Sequence, residues 1–161
     1  MRILFVDDLP DVMRVYAARL ENEDHQVLML PDMTGALRTA QRQAKANTPF
    51  DLLVIDLMLN RFEPEFDGEQ KKLAQALAQK QQPNIPSGQA LGLRLWNTRP
   101  RQAYCYLSAH PQLRVAGVDQ EFNGASDAEL ALLLMQKDRL RSTELSEKLC
   151  DVVALWRNKG W

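Results

Sequence analysis

Two four-residue runs in this chain, Ile3-Leu4-Phe5-Val6 and Leu52-Leu53-Val54-Ile55, are apolar at every position. Successive side chains of a strand point to opposite faces, so a strand with one wet face alternates apolar with polar. An unbroken apolar run needs cover on both faces, which is the condition of a parallel sheet between two layers of helices. The Tyr104-Cys105-Tyr106-Leu107 and Leu132-Leu133-Leu134-Met135 runs add to the pattern. Polar residues follow each run: Asp7 and Asp8, Asp56, Ser108, and, two residues on, Lys137. In an open α/β sheet the carboxyl ends of the strands share one crevice, where ligands bind. Three carboxylates, a hydroxyl and a lysine meeting there suit a divalent cation and a phosphoryl group.

The segments between the runs read as helices and one further strand. Asp8 is placed to cap a first helix, with Pro10 in its opening turn and Val12, Val15, Tyr16, Ala18 and Leu20 at helical spacing. Gln26–Leu30 reads as the second strand. Thr34 starts a helix with Ala36, Leu37, Ala40 and Ala44 on one face, and Pro49 forbids its continuation. Ala90, Leu91, Leu93, Leu95 and Trp96 belong to a later helix. Leu130–Met135 is expected as the fifth strand, and Ser142 or Thr143 opens the last helix, with an apolar stripe of Leu145, Leu149, Val152, Val153 and Trp156. Alternating strands and helices with right-handed crossovers imply a doubly wound five-stranded parallel sheet, flavodoxin-like, in the order 2-1-3-4-5. Its switch point falls between strands 1 and 3, which carry Asp7, Asp8 and Asp56.

Length and charge narrow the classes. A chain of 161 residues fits one domain, 1–161, with a sizeable core. Its 20 basic and 21 acidic residues nearly cancel, which offers nucleic acid no basic stripe. No apolar run approaches the roughly 20 residues of a membrane span, and no secretory signal precedes the first strand. Cys105 and Cys150 have no metal-ligand spacing and read as buried reduced thiols. The expectation is a cytoplasmic protein.

Two segments exceed a minimal five-strand unit. Residues 60–86 separate the third strand from its helix by far more than the usual loop. They hold a polar helix candidate, Glu69–Gln81, with Leu73, Ala76 and Leu77 as its stripe, overlapping a Gln-rich run Gln75–Gln82. They read either as a tolerated surface excursion, since loop length costs little entropy, or as a lid or partner-binding element. Residues 110–129 should hold a helix but pattern poorly, with Gly117 and Gly124 against it.

Taken in order, Phe5-Val6-Asp7-Asp8, Leu53-Val54-Ile55-Asp56-Leu57-Met58, Leu107-Ser108-Ala109 and Lys137 resemble the receiver domains of two-component response regulators. The resemblance implies a Mg²⁺ site in which Asp8, Asp56 and the Met58 carbonyl ligate and Asp7 helps through water. It implies that Asp56 takes a phosphoryl group from a phosphohistidine, with Ser108 and Lys137 holding the transferred oxygens. It also implies a signalling rather than enzymatic role, with a histidine kinase or histidine phosphotransfer protein upstream and a protein target downstream. No output module follows the last helix, so the expected readout is protein–protein contact, usually through the fourth helix, fifth strand and fifth helix.

Three departures stand out. Asp138 replaces the proline that usually follows the lysine, and it is a candidate partner for Lys137. Leu134 stands where the family often has an aromatic switch. The turn that opens the helix after strand 3 has two candidates, Asp67-Gly68 and Pro83-Asn84-Ile85-Pro86-Ser87-Gly88, of which the second joins better to the apolar pattern from Gln89. The departures motivate an alternative, a phosphorylation-independent receiver-like interaction protein. A Mg²⁺-dependent phosphohydrolase of the haloacid dehalogenase class fits less well, because its Asp-x-Asp would follow strand 1. His25 and His110 suggest no metal site, although His110 lies near Ser108. Trp156 is expected to pack on the sheet and Trp161 to be exposed.

Overall fold

A computed structural model of the chain describes residues 1–59, 63–78 and 85–161, with the backbone alone at Pro10, Val12 and Ser142. Five parallel strands, β1 (Arg2–Val6), β2 (Gln26–Leu30), β3 (Leu52–Ile55), β4 (Tyr104–Ser108) and β5 (Leu134–Gln136), pair in the order β2-β1-β3-β4-β5. The helices are α1 (Pro10–Glu21), α2 (Met33–Lys45), α3 (Asp67–Ala78), α4 (Ser87–Asn97), α5 (Asp127–Leu133) and α6 (Ser142–Lys159). Ile3–Val6 and Leu52–Ile55 are buried throughout. α1 packs with α6, α2 with α4, and α3 with α4. The order and the all-parallel pairing agree with the doubly wound reading.

Several local expectations are corrected. The N-cap of α1 is Leu9, not Asp8, and the Leu9 side chain makes no capping hydrogen bond. The inward face of α1 is Met13, Ala17 and Leu20, whereas Val15 and Ala18 are exposed. On α2, Ala44 is exposed, and the cap is Asp32, whose carboxylate accepts from the Gly35 amide at 2.6 Å. The first four of the six residues Leu130–Met135 are helical, and β5 is only three residues long. Their capping box explains this. Ser126 accepts from the Glu129 amide and Glu129 from the Ser126 amide, which nucleates α5 ahead of an apolar run that suits either state.

A short β5 leaves the lower edge of β4 without a strand partner, since β5 pairs with β4 only from Tyr106 onward. Aromatic packing fills the space. The Trp156 indole donates to the Tyr104 carbonyl at 2.9 Å. Trp96, Phe122, Trp156 and Trp161 pack edge to face or tilted, with ring centroids 5.4–6.2 Å apart. Trp161 is thus half-buried rather than exposed. Cys105 is buried as expected, and Cys150 is exposed, contrary to expectation.

The described part of the long connection after β3, residues 63–78, is a packed element. Phe66, Leu73 and Leu77 are buried between it and α4. Each such side chain contributes roughly 1.5–3 kcal/mol of burial, so α3 is more than a loose excursion. Glu63 fixes its start, accepting from the Met33 amide at 2.8 Å and the Thr34 amide at 2.7 Å, two otherwise unpaired donors at the start of α2. Arg94 on α4 donates to both oxygens of Glu69 and to the Glu65 carbonyl. Lys72 reaches Asp119 at 2.7 Å. The end of the expected Glu69–Gln81 helix, the tail of the Gln-rich run and Pro83-Asn84 lie outside the described residues.

Candidate functional site

The strand ladder carries two of the carboxylates into the crevice. The Asp7 amide continues β1 by donating to Leu30 O at 3.1 Å, and the Asp56 amide continues β3 by donating to Val6 O at 2.9 Å. Asp7, Asp8 and Asp56 come together with one ligand oxygen from each lying within 4.8 Å of the others. Asp7 Oδ1 accepts from the Leu9 amide at 2.9 Å and Asp56 Oδ1 from the Met58 amide at 3.2 Å. These bonds orient both carboxylates and aim their other oxygens at the same point.

Lys137 Nζ occupies that point, 2.6 Å from Asp7 Oδ2 and 2.7 Å from Asp56 Oδ2. The three side chains are 14% exposed or less, so solvent screens the interaction little. Burial works against the charge of Lys137, but the hydrogen bonds and charges of Asp56 and Asp7 outweigh it and raise the lysine pKa. The backbone beneath the lysine is held from α1, where the Tyr16 hydroxyl donates to the Lys137 carbonyl at 3.1 Å. Asp138 is exposed, and the ammonium is committed to Asp7 and Asp56.

α4 closes the crevice beside β3. The Gly88 amide donates to Leu57 O at 3.0 Å. A Cβ on Gly88 would fall 1.8 Å from the Asp56 carbonyl oxygen, so this approach requires glycine. Ser87 Oγ donates to the Leu59 carbonyl. Of the two candidate turns, the one containing Gly88 opens the helix against β3, while Gly68 lies within α3 with open space around it.

Ser108 is buried at the end of β4, and its Oγ accepts from the His110 amide at 3.3 Å. His110 is exposed. The hard oxygen donors of three carboxylates match what Mg²⁺ prefers, and the cluster already accommodates one cation, the lysine ammonium. The residues present therefore fit a divalent ion.

A second polar cluster went unread in the sequence. Glu121 is buried, and its Oε1 accepts from the Tyr104 and Tyr106 hydroxyls, each at 2.6 Å. Its Oε2 accepts from Gln89 Nε2 at 2.9 Å and Arg114 Nε at 3.0 Å. Gln89 also clamps Val115, through the amide at 2.8 Å and the carbonyl at 2.9 Å. These bonds pin residues 114–121 to β4 and α4 where a helix was expected. Residues 110–126 instead hold two single-turn 3₁₀ helices, Pro111–Leu113 and Val118–Gln120, ahead of α5. No spacing rule could have found Glu121, because its partners come from β4, from α4 and from the loop at Arg114.

Compared by sequence, the chain matches no protein-family model and no curated protein. Compared by structure, it is similar to a sensor protein from Polaromonas sp. JS666, with TM-score 0.57 and 18% identity, covering 95% of each chain. It is also similar to the receiver domain of the Francisella response regulator 1452, with TM-score 0.57 and 16% identity over 95% of this chain and 96% of the other. A third similar structure is the BeF3-activated N-terminal receiver domain of Klebsiella pneumoniae RstA, with TM-score 0.54 and 18% identity over 94% and 98%. The chain has the flavodoxin-like fold of response-regulator receiver domains. No helix among the described residues is long and apolar enough to cross a membrane.

Proposed function

We propose that this chain is a Mg²⁺-dependent phosphoacceptor switch of a histidine–aspartate relay, a receiver unit spanning 1–161 with residues 60–86 added after β3. The observation that carries the reading is the Lys137 ammonium set between Asp7 and Asp56 among three clustered carboxylates at the strand ends. A purely structural surface lysine gains little from such a position, because burying charges costs several kcal/mol each. A cluster that concentrates charge in a crevice is instead suited to stabilising a transferring phosphoryl group.

In this reading Asp56 is the nucleophile. One of its carboxylate oxygens attacks phosphorus, the P–N bond to the donor histidine breaks, and its electron pair stays on the imidazole nitrogen. Lys137 shifts from pairing the free carboxylate to pairing the new phosphoryl oxygens. Ser108 donates its hydroxyl to another, and it can still accept from the His110 amide. Asp7, Asp8, Asp56 and the Met58 carbonyl would hold a divalent ion, which when bound would neutralise charge on the transferring phosphoryl oxygens. The upstream partner is a histidine kinase or phosphotransfer protein, the output is a contact with a second protein, and the setting is the cytoplasm.

The test is exposure to a small phosphodonor with Mg²⁺ or with chelator, for the parent and for Asp56→Asn. A base-labile acyl phosphate that needs Mg²⁺ and is lost in the variant is expected. No adduct in the parent would favour the phosphorylation-independent interaction protein, and multi-turnover phosphate release would favour the hydrolase.

A further inference from the structure

At the opposite end of the sheet from the carboxylates lies a cavity of about 850 Å³ that the phosphoacceptor reading does not use. It opens where the chain enters β3 and β4 and where α6 ends. Its floor is apolar and rich in aromatic rings: Leu37, Ala40, Phe50, Val153, Trp156 and Trp161. The volume falls within the range of about 300–1,000 Å³ typical of small-molecule sites, which pair an apolar lining with a few polar groups that orient the ligand.

The rim is cationic. Lys45, Arg99, Arg101 and Arg157 line it, against one acidic side chain among the described lining residues, Asp51. One oxygen of Asp51 is already taken by the Arg2 amide at 2.7 Å. Arg101 is held in place by stacking 3.8 Å over the Trp96 ring and by donating to the Trp96 carbonyl at 2.8 Å. Burial and the neighbouring Arg99 charge both disfavour the Arg101 charge. Arg99 is likewise fixed, donating to the Trp96 and Thr98 carbonyls.

We infer that this cavity binds a small amphipathic organic anion, its alkyl or aryl body on the Trp156–Trp161–Phe50 floor and its carboxylate or sulfonate head against the arginine rim. The charge complementarity selects the anion, and the aromatic floor selects the apolar body. The site is independent of Asp56 and stands or falls separately from the phosphoacceptor reading.

The test uses the full chain, with anilinonaphthalene sulfonate as probe, uncharged N-phenylnaphthylamine as control and decanoate as competitor. Trp96, Trp156 and Trp161 are the three tryptophans of the chain, and all lie in or against the floor, so their fluorescence reports binding directly. The expected result is saturable binding of one sulfonate per chain with tryptophan quenching, displaced by decanoate. The uncharged control should bind at least about 10-fold more weakly, as for loss of one charge-assisted contact. Lys45→Gln/Arg157→Gln should weaken the sulfonate by a similar factor, and Ala44→Trp, at the exposed rim, should block it. Circular dichroism and melting temperature establish that both variants fold. Absence of saturable binding, equal affinity for charged and uncharged probes, or equal affinity of parent and folded variants would each overturn the inference. Displacement by an acidic amphipathic peptide but not by decanoate would overturn it in favour of a protein partner. Loss of probe binding on dimerisation, seen by sedimentation without decanoate displacement, would overturn it in favour of an interface between copies.

Discussion

Replacing Lys137 by methionine removes the charge and keeps an apolar stem. The structure sets the size of the effect. Two short charge-assisted hydrogen bonds are lost, at 2.6 and 2.7 Å, and three carboxylates within 4.8 Å of one another lose their cation. At an effective dielectric constant of about 20, each carboxylate pair at that distance repels by roughly 3–4 kcal/mol. Part of that is relieved by small movements and water entry, so the net cost settles near the 3–5 kcal/mol typical of stripping a partner from a buried ion pair. For a domain of this size that is a fall in melting temperature of about 6–20 °C, measured in chelator by scanning calorimetry. The same substitution should make Mg²⁺ a stronger stabiliser. An ion bound 100-fold above its dissociation constant adds about 2.7 kcal/mol, and its affinity rises when no ammonium competes for the same oxygens. The variant should therefore show the larger Mg²⁺-induced rise in melting temperature. A variant as stable as the parent in chelator, or one with the smaller Mg²⁺ response, would refute the shared cation site.

Three further outcomes are expected. Gly88→Ala places a Cβ 1.8 Å from the Asp56 carbonyl, so chemical denaturation should show a loss of about 2 kcal/mol or more, and a neutral result would mean that α4 does not approach the site so closely. Glu121→Ala strands two buried phenols and Arg114 and should cost about 3–5 kcal/mol. Burial first, then the Glu121 charge, raises the Tyr104 and Tyr106 pKa well above the ordinary value. The fold thus holds the neutral phenols, and stability is intact below the unfolded value of about 10 and falls as pH rises past it. Phenolate absorbance of the two should appear only with unfolding, and its appearance in the folded protein would contradict the network. Cys150 is exposed while burial pushes the Cys105 thiol up, so one thiol should react with Ellman's reagent in the native protein and two after denaturation, and two reacting natively would place Cys105 wrongly.

β1, β3 and β4 were legible because burial on both faces leaves an unmistakable mark, an apolar run with no alternation. The positions of Asp7, Asp8, Asp56 and Lys137 followed from that, since a strand end is fixed once the strand is. Elements set by local hydrogen bonding were read less well. Leu130–Leu133 is apolar enough for a strand, and the Ser126–Glu129 capping box, present in the sequence, decides for a helix. The N-cap falls at Leu9 rather than Asp8, with the Asp7 carboxylate turned back to the Leu9 amide. The order in residues 110–125 depends on Glu121, Gln89 and two tyrosines from β4, contacts between residues 15–32 apart along the chain. Long-range polar networks of this kind leave no periodic trace. Trp161 likewise depends on residues distant in the chain, packing on Trp96 and Phe122.

The account turns on whether Asp56 accepts a phosphoryl group. Borohydride reduction of the phosphodonor-treated protein converts an aspartyl phosphate to homoserine, and peptide mapping by mass spectrometry then locates it. Homoserine at position 56, formed with Mg²⁺ and absent with chelator, is the predicted result. Homoserine at position 7 or 8 instead, or none at all under conditions that label a receiver domain run in parallel, would contradict it.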